Sequence, residues 1–304
     1  MDSSTGMGLS WSCGFGSAGG RQYYRKHGGH SGCLAPRHGM AQDVPKWGGT
    51  FAMGDADRAV STGTWKDHWP LIALGPGSLV LLFAFVPPLT QDLAYHAFAD
   101  DRALFGVPNA RDVASNLPFL FVGLYGIGVC LRRRAGVAWT TLFAGVSCVS
   151  AGSAWYHLAP DNATLVWDRL PMTVGFMCLF AALLTEYVDT RLRHALLPCV
   201  AIGAGSVFWW AAADDLRLYA WVQFMPLAVL ALLLWRYQPG FSHTHLLLAG
   251  LGAYVAAKVA EHFDAALYGL LGGVLSGHTL KHLLAGCACL LLAEMVRRRQ
   301  RTPA

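Results

Sequence analysis

From Leu71 onward the chain alternates apolar stretches of about twenty residues with short polar breaks. Twenty residues is the length an α-helix needs to cross about 30 Å of hydrocarbon. The apolar runs are continuous and do not follow the in/out alternation of barrel strands, so they predict helices. Eight spans are expected, at 70–89, 113–131, 137–157, 168–187, 194–213, 216–235, 244–264 and 274–296. The expected fold is therefore all-α, a polytopic membrane helical bundle over residues 70–296. Residues 1–69 carry no sustained apolar period and are rich in Gly, Ser, His and basic side chains, so they are expected to form a disordered arm. That arm lacks the basic start and apolar core of a secretory signal. Residues 297–304 form a basic tail.

Composition sharpens this picture. Of 304 residues, 54% are hydrophobic and only 13% charged, against about 25% charged in an ordinary soluble domain. A net charge of +5 gives no reason to expect nucleic acid, and its distribution is more informative. Arg132, Arg133, Arg134, Arg191, Arg193, Arg236 and the Arg297–Arg301 tail fall in one set of connections; Asp92, Asp100, Asp101, Asp112, Asp161, Asp214, Asp215 and Asp264 fall in the alternate set. By the bias of basic loops toward the cytoplasm, both termini are expected inside and the acidic connections outside. Six cysteines lie in apolar segments with no CxxC pair, which predicts small buried filler.

An ionisable group at membrane depth costs about 2.5–3.5 kcal/mol on insertion scales, so each needs a partner or a task. Three places concentrate them: Ser153 and His157 at the end of the third span, Asp168 opening the fourth, and His278 and His282 opening the eighth. Each of the pairs Ser153/His157 and His278/His282 is four apart and shares a helix face. The expected topology puts all five residues in one outer layer. Three imidazoles and a water make a four-coordinate zinc site with an open position, suited to hydrolysis; iron or nickel is also compatible. A lone helical His is usually a packed residue, and it is the third His with Ser153 and Asp168 at the same depth that favours a metal. Lys258 and Glu261, three apart, are expected to form an intrahelical ion pair, and Lys281 to point away from the ligand face. Trp155, Tyr156, Trp167 and Trp221 read as headgroup-level aromatics, and His96 as interfacial.

These residues resemble the alkaline ceramidase family, part of a hydrolase superfamily that includes adiponectin-receptor-like proteins. The matching motifs are SNLPF (Ser115 to Phe119), S-x3-H (Ser153, His157), D-x-LPM (Asp168, Leu170 to Met172) and H-x3-H (His278, His282), in family order over roughly Gln91 to Glu294. The segment Tyr95 to Asn116 is similar to bacterial members. The resemblance implies a seven-helix core around a zinc held by His157, His278 and His282 and a water, here with one extra N-terminal transmembrane helix. Ser153 and Asp168 match the family's catalytic Ser and Asp. Eukaryotic members bind calcium before the first family helix; Asp100 and Asn109 fall near two of those positions and are candidate calcium ligands, while the family's Trp and other acids are absent.

The function implied is hydrolysis of the amide of ceramide-like lipids by a zinc-dependent membrane amidase, its substrate entering sideways from the bilayer. In this scheme Asp168 takes the proton of water and delivers it to the leaving amine, and Ser153 hydrogen-bonds the developing oxyanion. No protein partner is identifiable. The alternative is a receptor-like membrane protein of the same superfamily that binds lipid with little turnover. A transporter or haem protein is a third class, for which the sequence offers no convincing repeat.

Overall fold

The computed structural model describes residues 65–238 and 240–302. The arm expected over 1–69 lies outside the described residues except for its last five positions. Among the described residues there are helices and no β-strand. The spans are α1 (Trp69–Phe85), α2 (Ala110–Arg133), α3 (Val137–Leu158), α4 (Asn162–Tyr187), α5 (Thr190–Ala213), α6 (Arg217–Arg236), α7 (His245–His262), α8 (Asp264–Leu270) and α9 (Gly277–Arg298). Six of these are long and apolar enough to cross a membrane; α7 and α8 meet that test only together and are bent by 85° at their junction, and α1, expected as a further transmembrane helix, is shorter. The chain is thus a multi-pass membrane protein with an all-α bundle.

Three boundaries differ from expectation for identifiable reasons. α1 is a shorter apolar helix, interrupted by a π-helical segment over Ala73–Gly77 that contains Pro76. The seventh span ends at His262 and turns into α8, so it is shorter than the 244–264 run. α4 starts at Asn162 because Asp161 and Thr164 form a capping box: the Asp161 carboxylate accepts from Thr164 N at 2.6 Å, and Thr164 Oγ1 accepts from Asp161 N at 3.1 Å. Asp168 therefore sits nearly two turns inside the helix.

The charge pattern becomes two ends in space. At the acidic end, Leu216 N donates to Leu89 O, Ala99 N to Asp264 Oδ2, and Arg102 Nη2 to Gly273 O. At the basic end, Arg133 Nη2 donates to Arg299 O, and the Arg299 guanidinium pairs with Glu186 at 2.8 Å beside Trp139. Small residues let the helices approach closely, as membrane packing requires. Pro171 has no N–H to give Trp167 O, and that carbonyl lies against Gly152, where a Cβ would stand 2.1 Å from it. A Cβ on Gly277 would stand 2.2 Å from Ala260 O. The first contact seats α3 on α4 beside Ser153 and Asp168; the second seats α9 on α7 beside His278.

The bundle is not closed all round. α7 packs on α9, α9 on α2, α2 on α3, α3 on α4, and α4 on both α5 and α6, but the consecutive helices α6 and α7 make little direct contact. A cavity of about 680 Å³ lies inside, lined by both of those helices. Gln223 Nε2 on α6 bridges the gap by donating to Tyr254 Oη on α7 at 2.7 Å.

The cysteines divide: Cys130, Cys178 and Cys199 are buried filler, whereas Cys148 and Cys287 are exposed. Trp155 and Trp167 are exposed, in keeping with headgroup-level aromatics, while Tyr156 is buried against His157 and His96.

Candidate metal centre

α3 delivers His157 in its last turn, and the first two turns of α9 deliver His278 and His282. Ser276 caps α9 by accepting from Thr279 N at 2.9 Å, and Asp264 Oδ1 accepts from His278 N at 2.7 Å. The three rings converge from two distant stretches of sequence. Their centroids are 4.9 Å (157–278), 5.0 Å (157–282) and 4.9 Å (278–282) apart. One nitrogen from each lies within 4.8 Å of the others, and all three residues are buried. Nitrogens around a tetrahedral ion at ~2.1 Å stand about 3.4 Å apart, so modest side-chain rotation brings the three to bonding distance.

Hydrogen bonding supports a metal in this place. Both ring nitrogens of His157 are buried and lack a partner, a costly state for a polar group that an ion would relieve. At His282 the neighbours set the tautomer. Ser115 Oγ donates to Asp112 O at 2.8 Å and lies 2.6 Å from His282 Nδ1. With its proton committed, Oγ accepts from Nδ1–H, which leaves the Nε2 lone pair for a ligand role. Asn109 Nδ2 donates to His157 O at 2.8 Å and so steadies the end of α3. Phe98 covers the cluster, its ring 4.7 Å from that of His157 and 4.6 Å from that of His278. A buried His157–His278–His282 cluster of this kind can hold a metal ion.

Ser153 and Asp168 line the same cavity as His282. The Ser153 hydroxyl lies next to the Asp168 carboxyl. Three helices, α3, α4 and α9, thus bring together all five residues singled out at membrane depth.

Asp100 and Asn109 have other partners. Asp100 is 1% exposed and is held by Arg102 (2.7 Å) and Arg111 (3.2 Å). The Arg102 guanidinium keeps its carboxyl below the usual carboxylate range. Two cations on the Asp100 carboxylate do not fit a calcium ion, which needs six to eight oxygen ligands.

The expected Lys258–Glu261 ion pair is present, but it is larger than two residues. Lys281, expected to point away, reaches Glu261 Oε1 at 3.0 Å and lies 3.0 Å from His278 Nε2, facing the cavity. Lys281 therefore competes with an ion for one nitrogen of His278. Tyr95 Oη also donates to Glu261 Oε1, at 3.2 Å. The long Lys side chain explains the difference, since its ammonium can travel well beyond the face on which its Cα sits. Sequence reasoning assigned no role to Ser115 and Asp112, although both lie in or beside the SNLPF motif. It also assigned none to Arg169, which directly follows Asp168.

No protein-family model matches this chain, and no curated protein matches its sequence.

Proposed function

We propose that this chain is a zinc-dependent integral-membrane amidase that cleaves long-chain lipid amides of the ceramide type into an amine and a fatty acid, as its resemblance to the alkaline ceramidases implies. The observation that carries the reading is the histidine cluster with Ser153 and Asp168 at the polar end of an otherwise apolar cavity. Its volume of about 680 Å³ falls in the range of small-molecule sites. The sparse contact between α6 and α7 gives an acyl chain a sideways route from the bilayer.

His157, His278 and His282 would hold the ion. Nitrogen donors without thiolates suit Zn²⁺, and when bound it supplies Lewis acidity to the carbonyl and lowers the pKa of water toward about 7. Asp168 accepts a proton from the attacking water and returns it to the amide nitrogen as the C–N bond breaks. Ser153 Oγ donates to the carbonyl oxygen as negative charge builds there. The apolar walls hold the acyl chain and exclude bulk water. With basic connections inside, both termini are cytoplasmic and the active site faces outward.

Metal analysis of the purified full chain together with a fluorescent ceramide hydrolysis assay tests this reading. His278→Ala is expected to lose both zinc and hydrolysis, and Asp168→Asn to keep zinc and lose turnover. Full hydrolysis by zinc-free protein refutes it. A second reading, lipid binding with little turnover, is favoured by the Lys281 contact on His278 Nε2; zinc-loaded protein that binds ceramide without cleaving it supports that alternative.

A further inference from the structure

Arg169 follows Asp168 on α4 and is 5% exposed. Its Nη2 donates to Gln91 Oε1 at 2.7 Å. Its guanidinium carbon lies 4.1 Å from the ring centre of Trp210, 4.6 Å from that of Tyr219 and 5.7 Å from that of Tyr95. Nη1 is buried and has no hydrogen-bond partner. Among the described residues, no ion pair within 4.0 Å includes Arg169. The side chain lines the cavity that also receives Ser153, Asp168 and His282.

This is an incomplete site. Aromatic faces interact with the plane of a guanidinium, but its N–H bonds lie within that plane and require acceptors. A donor edge stripped of water and left unpaired is costly, more so on a fixed charge. The carboxylate of Glu261 is engaged by Lys258 and Lys281, and Asp168, though an electrostatic neighbour of Arg169, makes no ion pair with it within 4.0 Å. The chain thus supplies a pinned, buried, charged donor group whose Nη1 has no protein acceptor. A lipid amide whose acyl chain fills the apolar part of the cavity must leave its amine half at the polar end, where Arg169 stands.

We propose that Arg169 is a specificity-determining residue that binds an oxyanion, carboxylate or phosphate, on the amine half of the lipid substrate; the assignment rests on the lipid-amide reading of the cavity. Charge-assisted hydrogen bonds of this kind are the stronger class, and the planar guanidinium fork matches either oxyanion.

The test uses the full chain in lipid nanodiscs, stripped of metal for binding and zinc-loaded for turnover. The probes are N-oleoylglycine and N-oleoylethanolamine, which share acyl chain and amide but differ in carrying a carboxylate or a hydroxyl. Ceramide 1-phosphate against ceramide forms the phosphate arm. Wild-type protein is expected to bind at least one anionic probe about ten- to a hundredfold more tightly than its neutral counterpart, and the arm showing the larger ratio identifies the oxyanion. Arg169→Gln should collapse that ratio toward one, Arg169→Lys should retain part of it, and Gln91→Ala, which removes the hydrogen bond that pins the guanidinium, should reduce it. Equal wild-type binding within both pairs overturns the proposal, even if Arg169→Gln fails to fold. So does an unchanged ratio in folded Arg169→Gln protein. Binding preference without hydrolysis refutes the amidase reading while supporting the oxyanion site; hydrolysis without preference refutes the oxyanion site alone.

Discussion

Ser115 Oγ and His282 Nδ1 stand 2.6 Å apart, with the serine proton committed to Asp112 O. A residue on α2's first turns thereby fixes the tautomer of a histidine on α9. Partners of this kind orient metal ligands, and removing one costs about 10–100-fold in metal affinity. Ser115→Ala is expected to weaken zinc binding by that factor while leaving the helical content intact. Competition with a calibrated chelator, alongside circular dichroism, measures both; unchanged affinity would show that the hydrogen bond has no role in ligation.

Gly175 lines the cavity, and a Cβ there would meet nothing within 4 Å. Gly175→Leu should therefore project into empty space without displacing a helix. Hydrolysis of a long-chain amide is expected to fall at least about tenfold relative to a short-chain one, because even one methylene in a hydrophobic pocket is worth 10–200-fold. Equal losses for both chain lengths would place the acyl chain elsewhere.

Gly277 is the first residue of α9, where a Cβ would meet Ala260 O at 2.2 Å and the Asp264 backbone at 2.7 Å. These are backbone atoms and cannot swing aside. Gly277→Val is expected to destabilise the protein by about 1–3 kcal/mol, the usual cost of overpacking, and to displace His278. Thermal unfolding in detergent reports the first effect and zinc content the second. A variant with wild-type stability and full zinc would mean that α7 and α9 tolerate separation.

Asp215 lies outside the membrane-spanning helices. Arg217, bonded to it through Nε and Nη2, holds its carboxyl down to about 2, from an ordinary value of 3.8. Folding therefore favours the charged form. Its stabilisation is complete above about pH 4 and is lost as pH falls toward 2. Arg217 also donates to Val86 O, so the junction of α1 with α6 should loosen in that window. Asp215→Asn should remove this acid-dependent step, and unfolding midpoints between pH 5 and pH 2 for the two proteins measure it.

Much of the fold was legible because hydrocarbon imposes a length rule: of eight apolar runs, six appear as helices long enough to span, one as the bent pair α7–α8, and the first, expected as an extra transmembrane helix, only as the shorter α1. The exceptions had local causes. Pro76 and its π-helical segment shortened α1, and the Asp161–Thr164 capping box moved the start of α4 to Asn162. Of the site, the residues with a fixed helical spacing were readable. His278 and His282 share a face because they are four apart, and expected topology set His157 at the same depth. The calcium expectation at Asp100 and Asn109 did not survive contact with Arg102 and Arg111, whose guanidinium groups take the carboxylate.

The sequence by itself determined the all-α membrane bundle, the separation of basic from acidic connections, and the layer in which the polar residues gather. These follow from period, length and charge, which are properties of single segments. Only the tertiary structure decided that three imidazoles converge, that Ser115 orients His282, that Lys281 turns back to Glu261 and His278, and that Arg169 keeps an unpaired donor. Each of those is a contact between segments distant in the chain. Its geometry depends on helix rotation and on close approach at Gly152 and Gly277, which no local pattern encodes.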